Sequence, residues 1–263
     1  MPTPLHLIDA FADEPYSGNP AAVVLLDEPR PDSWRQAVAA EMNQAETAFL
    51  EREGSDWSLR WFTPGAEVEL CGHATLASAH ALWNHHGAPD GPLRFMTLSG
   101  VLTAMRTDDG QIALDFPALG TTGTTPPDDL VAALGRAPVE VLRSSYDLMC
   151  VYDDPAHVRD LDPDLAAMAR WPVRGVSVTA AAGESDVDFV SRFFAPALGV
   201  PEDSVTGSAH CALAPYWAAR LGRDTLAGAQ LSPRGGRVSC TVQGSRVEIA
   251  GRAHTILAGE LLA

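Results

Sequence analysis

Lysine is absent from this 263-residue chain, and all 18 of its basic residues are arginine. A lysine Schiff base, as used with pyridoxal phosphate, and the phosphate-binding lysine of a P-loop are therefore both excluded. The chain also has no G-x-G-x-x-G dinucleotide fingerprint and no G-x-S-x-G nucleophile elbow. We therefore expect no bound cofactor.

Cysteine is scarce, and the four cysteines form no C-x-x-C pair. They are Cys71, Cys150, Cys211 and Cys240. This spacing predicts buried, reduced thiols, with neither a disulfide framework nor a structural zinc site. The eight histidines have no H-x-x-x-H spacing that would place two imidazoles on one face of a helix, so no metal is expected.

Positive charge is also in short supply, since 34 acidic residues give a net charge of −16. Such a surface repels phosphate backbones and acidic lipids, which argues against nucleic acid or a membrane as partner. No run of 18 apolar residues could span a bilayer, and the polar, acidic opening does not resemble a signal peptide. We expect a cytoplasmic protein.

The chain contains an internal repeat. Residues 60–64 (RWFTP) match residues 192–196 (RFFAP), and each block is followed by a glycine that opens an alanine-rich stretch. The first stretch begins at Gly72 and the second at Gly207, and a further glycine lies 28 residues after each, with alternating strand-like sequence beyond it. Three blocks in the same order predict two homologous halves.

The local patterns predict an α+β fold for each half. Trp57, Leu59 and Trp61 alternate with polar residues as in a strand, whereas residues 31–42 place apolar side chains on one helical face. The alanine-rich stretches are apolar around most of their circumference, which is typical of central, buried helices. A Gly/Thr/Pro-rich segment at residues 120–127 suggests a linker, so we predict halves at residues 1–119 and 120–263, with the last strand able to pack back on the first half.

The two glycine-led helices also suggest a binding site. A helix N-terminus presents unpaired N–H groups and partial positive charge, which can bind a carboxylate without lysine or clustered arginine. Gly72 with His73 and Gly207 with Ser208 are the expected donors. Cys71 precedes the first glycine, but Thr206 precedes the second, and a hydroxyl is too weak an acid to replace a second thiol. Two-thiol racemisation is therefore disfavoured.

Five blocks of sequence resemble the successive signatures of the PhzF family of phenazine biosynthesis. They are residues 9–11 (DAF), 17–23 (SGNPAAV), 43–49 (NQAETAF), 71–75 (CGHAT) and 203–210 (DSVTGSAH). The resemblance implies the diaminopimelate-epimerase-like fold, in which two pseudo-symmetric halves each wrap a mixed sheet around a central helix. It also implies a site in the cleft and a homodimer. Ser204 stands where the family pattern usually has proline.

The resemblance further implies roles for individual residues. Glu46 corresponds to the catalytic acid/base of the family, and His73 and Asp203 correspond to residues that orient the substrate or relay a proton. Ser208 and the glycines at the two helix ends would bind its carboxylate. A carboxylate in a partly dry site has a raised pKa, so Glu46 alone could remove a proton and return it elsewhere on the substrate.

Three functions are compatible with these residues. The first is a cofactor-independent isomerase that moves a proton and a double bond in a small carboxylated metabolite. The second is an epimerase or racemase that uses Cys71 together with Glu46. The third is a non-catalytic protein that binds a metabolite with the same fold.

Overall fold

The computed structural model of the chain describes residues 2–183 and 186–262. The chain divides into two compact units, one formed by Met1–Phe116 with Ala250–Ala263 and the other by Pro117–Ile249. The sequence-based division placed the boundary at residues 119/120 and allowed the last strand to pack back on the first half. Each unit combines a mixed sheet with helices, and the predicted α+β class is confirmed.

The chain up to Pro117 forms a series of strands and two helices. The strands are β1 (Thr3–Ala10), β2 (Asn19–Leu26), β3 (Glu46–Glu53), β4 (Asp56–Phe62), β5 (Glu67–Val68), β6 (Leu93–Thr97), β7 (Gly100–Arg106) and β8 (Ile112–Pro117). The helices are α1 (Asp32–Met42) and α2 (Gly72–His85).

The second unit has the same kinds of element, and one last strand follows it. Its strands are β9 (Thr122–Gly123), β10 (Glu140–Arg143), β11 (Asp147–Tyr152), β12 (Gly175–Ala181), β13 (Phe189–Ala195), β14 (Val200–Asp203), β15 (Thr225–Gln230), β16 (Gly236–Gln243) and β17 (Arg246–Gly251). Its helices are α3 (Leu130–Leu134), α4 (Pro155–Arg159), α5 (Leu165–Met168) and α6 (Gly207–Leu221). Strand β18 (Ala253–Leu261) ends the chain and pairs with β1.

The two units share one pattern of strand pairing. In the first, the order is β18, β1, β2, β3, β4, β6, β7, β8, and only the pairs β2/β3 and β4/β6 in this series are parallel. In the second, the order is β9, β10, β11, β12, β13, β15, β16, and the parallel pairs are β11/β12 and β13/β15. A short strand joins each sheet at the same point, β5 on β4 and β14 on β13. The segment at residues 120–127, predicted as a linker, contributes β9 to the second sheet.

Helices α1, α2 and α6 fall where the sequence pattern predicted them, whereas the short helices α3, α4 and α5 were not predicted. Helix α1 ends at Asn43, whose φ of 49° is the left-handed conformation that closes many helices. Helix α2 is buried almost throughout and packs on β1, β2 and β3, because its alanines allow strands to approach on every side. Helix α6 packs on β15 and β16 and is also largely buried. None of the helices in the described ranges is long and apolar enough to cross a bilayer.

The repeated arginine performs the same structural task in each unit. Arg60 on β4 makes two parallel hydrogen bonds to the carboxylate of Glu67 on β5, at 2.6 and 2.7 Å. Arg192 on β13 makes the equivalent pair to Glu202 on β14, at 2.7 and 2.9 Å. This forked geometry is the strong form of the arginine–carboxylate interaction. The repeated arginine therefore joins the short strand to the sheet in the same way in each unit.

Candidate active site

The beginnings of three elements meet at one end of the first unit. Strands β2 and β3 are parallel, with Ala21 opposite Glu46, so both strands start at the same edge of the sheet. Helix α2 packs on both strands. The first residue of β2, the first of β3 and the second of α2 are Asn19, Glu46 and His73.

Glu46 and His73 are in direct contact. Oε2 of Glu46 lies 3.2 Å from Nε2 of His73, and their side chains are 19% and 6% exposed. The contact lacks the alignment of a hydrogen bond, so Nε2 is a buried polar atom without a hydrogen-bond partner. Such atoms are uncommon in native structures and often mark a functional site. The carboxylate of Glu46 reaches solvent, whereas the imidazole behind it does not.

Two polar neighbours bear on which nitrogen of His73 carries the proton. The Glu46 carboxylate beside Nε2 can only accept, which favours the neutral ring with its proton on Nε2. The side-chain amide of Asn19 lies 3.2 Å from Nδ1, where its NH₂ group can donate to the same tautomer. Asn19 is itself almost fully buried. The turn before it requires glycine, because Gly18 has φ +70° and a Cβ there would lie 2.3 Å from the carbonyl oxygen of Ala10.

His73 is an uncharged group in this site. Burial lowers its pKa to about 3, because the surrounding protein cannot solvate an imidazolium ion. The ring therefore stays neutral at ordinary pH and can place an N–H beside the carboxylate of Glu46. It is suited to orient that carboxylate rather than to neutralise it.

Cys71 completes the group in the first unit. Its sulfur lies 3.5 Å from Nδ1 of His73, and Cys71 is the N-cap of α2. Its side chain does not cap the helix. The first N–H groups of α2, at Gly72 and His73, thus lie beside the thiol, the imidazole and the carboxylate. All four cysteines are free and buried, as predicted.

A separate polar network precedes α6 in the second unit. Thr206 Oγ1 donates to Oδ2 of Asp203 at 2.6 Å, and the Thr206 N–H donates to Oε1 of Gln230 at 2.9 Å. The amide of Gln230 in turn donates to the carbonyl of Asp203 at 2.8 Å. The carbonyl of Ser204 accepts from Ser232 at 2.7 Å. Hydrogen bonds therefore fix this loop where the family pattern relies on proline.

His210 lies one turn into α6 and is fully buried. Its Nδ1 donates to the carbonyl oxygen of Thr206 at 2.9 Å, and its Nε2 has no hydrogen-bond partner. Burial lowers the pKa of His210 to about 4. Sequence reasoning treated this residue as packing, and its ring does lie against Phe189, with centroids 5.8 Å apart.

Strand register shows which positions correspond in the two units. Phe62 lies opposite Thr47, and Phe194 lies opposite Val176, so Glu46 corresponds to Gly175. The other equivalent pairs follow when Glu67 is aligned with Glu202 and the first residue of α2 with the first residue of α6. They are Val68 with Asp203, Cys71 with Thr206, Gly72 with Gly207, and His73 with Ser208. The scaffold is repeated, but the ionisable side chains are not.

The predicted residues thus fall into two groups. Glu46, Gly72 and His73 come together in the first unit, while Asp203, Gly207 and Ser208 lie in the second. Sequence reasoning overlooked Asn19 and Gln230 as polar partners of the predicted residues. Asn19 belongs to the SGNPAAV block, which was the available signal, whereas nothing local distinguishes Gln230.

Known proteins share both the sequence and the fold of this chain. The model of the PhzC-PhzF family, phenazine biosynthesis-like protein, matches residues 8–259. An uncharacterised isomerase of Pseudomonas aeruginosa is 48% identical over 261 residues, covering 99% of each chain. The crystal structure of a PhzF-family protein from Enterococcus faecalis is 41% identical, with a TM-score of 0.96 and complete coverage of both chains. A probable proline racemase of Agrobacterium radiobacter, 14% identical, has a TM-score of 0.65 and covers 98% of this chain and 92% of its own, which shows the fold alone.

These likenesses define the class of protein first, as one whose fold is that of a PhzF-family protein and is also found in a probable proline racemase. The chain belongs to the PhzC-PhzF family, and it is a PhzF-like isomerase.

Proposed function

We propose that the protein shifts a proton, and with it a double bond, within a small carboxylate-bearing metabolite, with Glu46 as the single acid/base. The observation that carries this proposal is the contact of Glu46 with His73 at the start of β3. The position in the second unit that corresponds to Glu46 is Gly175. A repeated scaffold with one such carboxylate favours chemistry with one base. A reaction that needs one base on each face of a carbon would instead favour a scaffold in which each unit supplies a base.

The proposed cycle conserves every atom of the substrate. The Glu46 carboxylate removes a proton from an activated carbon, the electron pair moves the double bond, and the resulting carboxylic acid protonates another carbon of the same molecule. His73 would hold Glu46 in position through the close contact of its neutral ring with the carboxylate. Solvent exposure of Glu46 gives the substrate a route to the carboxylate.

The remaining predicted residues are proposed to bind and orient the substrate. The N–H groups of Gly72 in the first unit, and those of Gly207 and Ser208 in the second, would donate hydrogen bonds to carboxylate groups of a substrate, since neither Cys71 nor Thr206 caps its own helix with a side chain. Asp203, held by Thr206 and Gln230, would orient a polar group or relay a proton.

The cellular setting of the activity is part of the proposal. We propose a cytoplasmic homodimer whose partner is a small molecule, with no role for nucleic acid or membrane, since the net charge is −16. The reaction is analogous to dihydro-hydroxyanthranilate isomerisation in phenazine synthesis. A shared fold does not specify the substrate, so other carboxylates with an acidic C–H belong in the test.

Substitution of Glu46→Gln tests the base. Wild type and variant are incubated in D₂O with dihydro-hydroxyanthranilate and a panel of small carboxylates that carry an acidic C–H, and proton NMR follows deuterium uptake. We expect uptake by the wild type and a loss of about 10²–10⁴-fold in the variant, the usual contribution of a general base. Unchanged uptake in a folded variant would rule out Glu46 as the base.

An epimerase that uses Cys71 is the second candidate, because the Cys71 sulfur, one His73 nitrogen and the Glu46 carboxylate all lie within 4.8 Å of one another. In that mechanism Cys71→Ser would abolish exchange and Glu46→Gln would retain it. The single-carboxylate mechanism requires Glu46→Gln to be the damaging change. The pair of variants therefore separates the two mechanisms on one assay.

A further inference from the structure

The side chains of Glu46, Cys71 and His73, which meet at the N-terminal end of α2, have a second chemical property, which is that they can act as metal ligands. A carboxylate oxygen of Glu46, the sulfur of Cys71 and one ring nitrogen of His73 lie within 4.8 Å of one another. Oxygen, sulfur and nitrogen from these residue types are the usual protein ligands of Zn²⁺. The residues lie 25 and 2 positions apart along the chain, so no metal-binding spacing appears in the sequence.

The distances approach those of a metal site. Ligand atoms bound tetrahedrally to zinc are about 3.3–3.8 Å apart, given bond lengths near 2.0–2.3 Å. The Glu46–His73 separation of 3.2 Å is already close to this range. No pair of the three ligand atoms is more than 4.8 Å apart, so a contraction of about 1 Å or less brings the widest pair within this range.

The environment of His73 independently indicates a ligand. Its Nε2 is buried, faces the Glu46 carboxylate and has no hydrogen-bond partner. Asn19, on the other ring nitrogen, provides the outer contact that orients histidine ligands in metal sites. When Nε2 binds a metal, the ring carries its proton on Nδ1 instead, and rotation of the Asn19 amide by 180° lets its oxygen accept from Nδ1.

We propose that Glu46, Cys71 and His73 bind one Zn²⁺ ion, and that the bound ion inhibits the enzyme by occupying its acid/base. The thiol of Cys71 loses its proton to solvent on binding, and three protein ligands leave one coordination position for water or a carboxylate. Only the inhibition rests on the proposed function. The binding of zinc stands without it.

Zinc binding is measured on the metal-depleted full-length protein, by competition with a chromogenic chelator and without substrate. We expect one zinc per chain in the wild type. Because disturbing even an outer contact of a metal site costs about 10–100-fold in affinity, loss of a direct ligand in Cys71→Ser or Glu46→Gln should weaken binding by at least that factor. Cys150→Ser, a buried cysteine elsewhere in the chain, is the matched control and should bind as the wild type does.

Cobalt provides a readout of the sulfur ligand. Co²⁺ in the same site should give a thiolate-to-metal charge-transfer band that Cys71→Ser lacks and Cys150→Ser retains. If Cys71→Ser does not fold, Glu46→Gln carries the affinity test. Absence of stoichiometric zinc binding in the wild type, or undiminished binding in a folded ligand variant, overturns the proposal. Binding with no inhibition of deuterium uptake overturns the inhibitory role alone.

Discussion

The side-chain amide of Asn19 lies 3.2 Å from Nδ1 of His73, a buried imidazole whose Nε2 lies beside the carboxylate of Glu46. Because Asn19 contacts this ring, we assign it a positioning role that acts through His73. Asn19 is therefore a target for mutation, in addition to the proposed base Glu46.

We predict that Asn19→Leu slows deuterium uptake, because Nδ1 of His73 then loses the donor that favours a proton on Nε2. Loss of this donor at a buried atom should also cost about 1–3 kcal/mol of stability. Nitrogen-15 NMR of labelled histidine reports which ring nitrogen carries hydrogen. The matched control is Asn84→Leu, since Asn84 makes the same contact with His80 at an exposed position, at 3.0 Å. An unchanged His73 tautomer in Asn19→Leu would contradict the assignment.

We predict that buried histidines make the protein sensitive to acid. The pKa of His210 is about 4 in the folded chain against 6.5 ordinarily, so between these values the unfolded chain binds a proton that the folded chain does not. The free energy of unfolding therefore falls as the pH drops through that window, by up to about 1.4 kcal/mol per pH unit from this residue. His210→Asn should make the pH dependence of urea unfolding less steep. The same slope in both proteins would refute this account.

A methyl group added at Gly228 should destabilise the second unit. Its Cβ would lie 2.5 Å from Cζ of Phe189, a fully buried ring that stacks on Trp217. We expect Gly228→Ala to cost about 1–3 kcal/mol in urea unfolding, as overpacked core positions do. Gly259→Ala is the control, because its nearest neighbour would be 3.7 Å away, and it should change stability by under about 0.5 kcal/mol.

Gly228→Ala combined with Phe189→Leu gives a further test of the cause. If the clash with the ring explains the loss, the smaller side chain should recover part of it, and the two changes should be less damaging together than their sum. Strict additivity would locate the cause elsewhere.

The repeated arginines should differ in importance, since Arg192 is 12% exposed and Arg60 is 25% exposed. Arg192 also donates to backbone carbonyls, including that of Leu161 at 2.5 Å. Lysine cannot form the two-bond fork. We expect Arg192→Lys to cost about 3 kcal/mol and Arg60→Lys about 1 kcal/mol in urea unfolding. Equal losses would show that burial does not decide the strength of these pairs.

Much of the fold was predictable from local pattern. The RWF and RFF blocks indicated the equivalent strands β4 and β13, and the alanine-rich stretches indicated α2 and α6. These features rest on residue periodicity and on small residues in a crowded interior, which the sequence displays directly. The predicted division allowed the last strand to return to the first unit, but local pattern does not specify its partner, because strands far apart in sequence leave no local signal of their pairing.

The site was predictable only in its parts. Glu46 and His73 were named from the family blocks, but their contact depends on the parallel register of β2 and β3 and on the packing of α2. Asn19 and His73 are 54 positions apart, and their hydrogen bond follows from the same packing. The possible metal ligands were missed for this reason, since the spacing rules that we applied detect ligands on one helix.

Pairing of the first strand with the last has a consequence for synthesis on the ribosome. Residues 117–249 are contiguous, so the second unit emerges whole and can complete its sheet while the chain is still growing. Strand β1, although made first, has Thr3 opposite Leu261 and must wait for the final residues of the chain. The unit that carries Glu46 is therefore the last to be finished, and a nascent chain released before β18 lacks the outer strand of that unit while retaining every residue of the second.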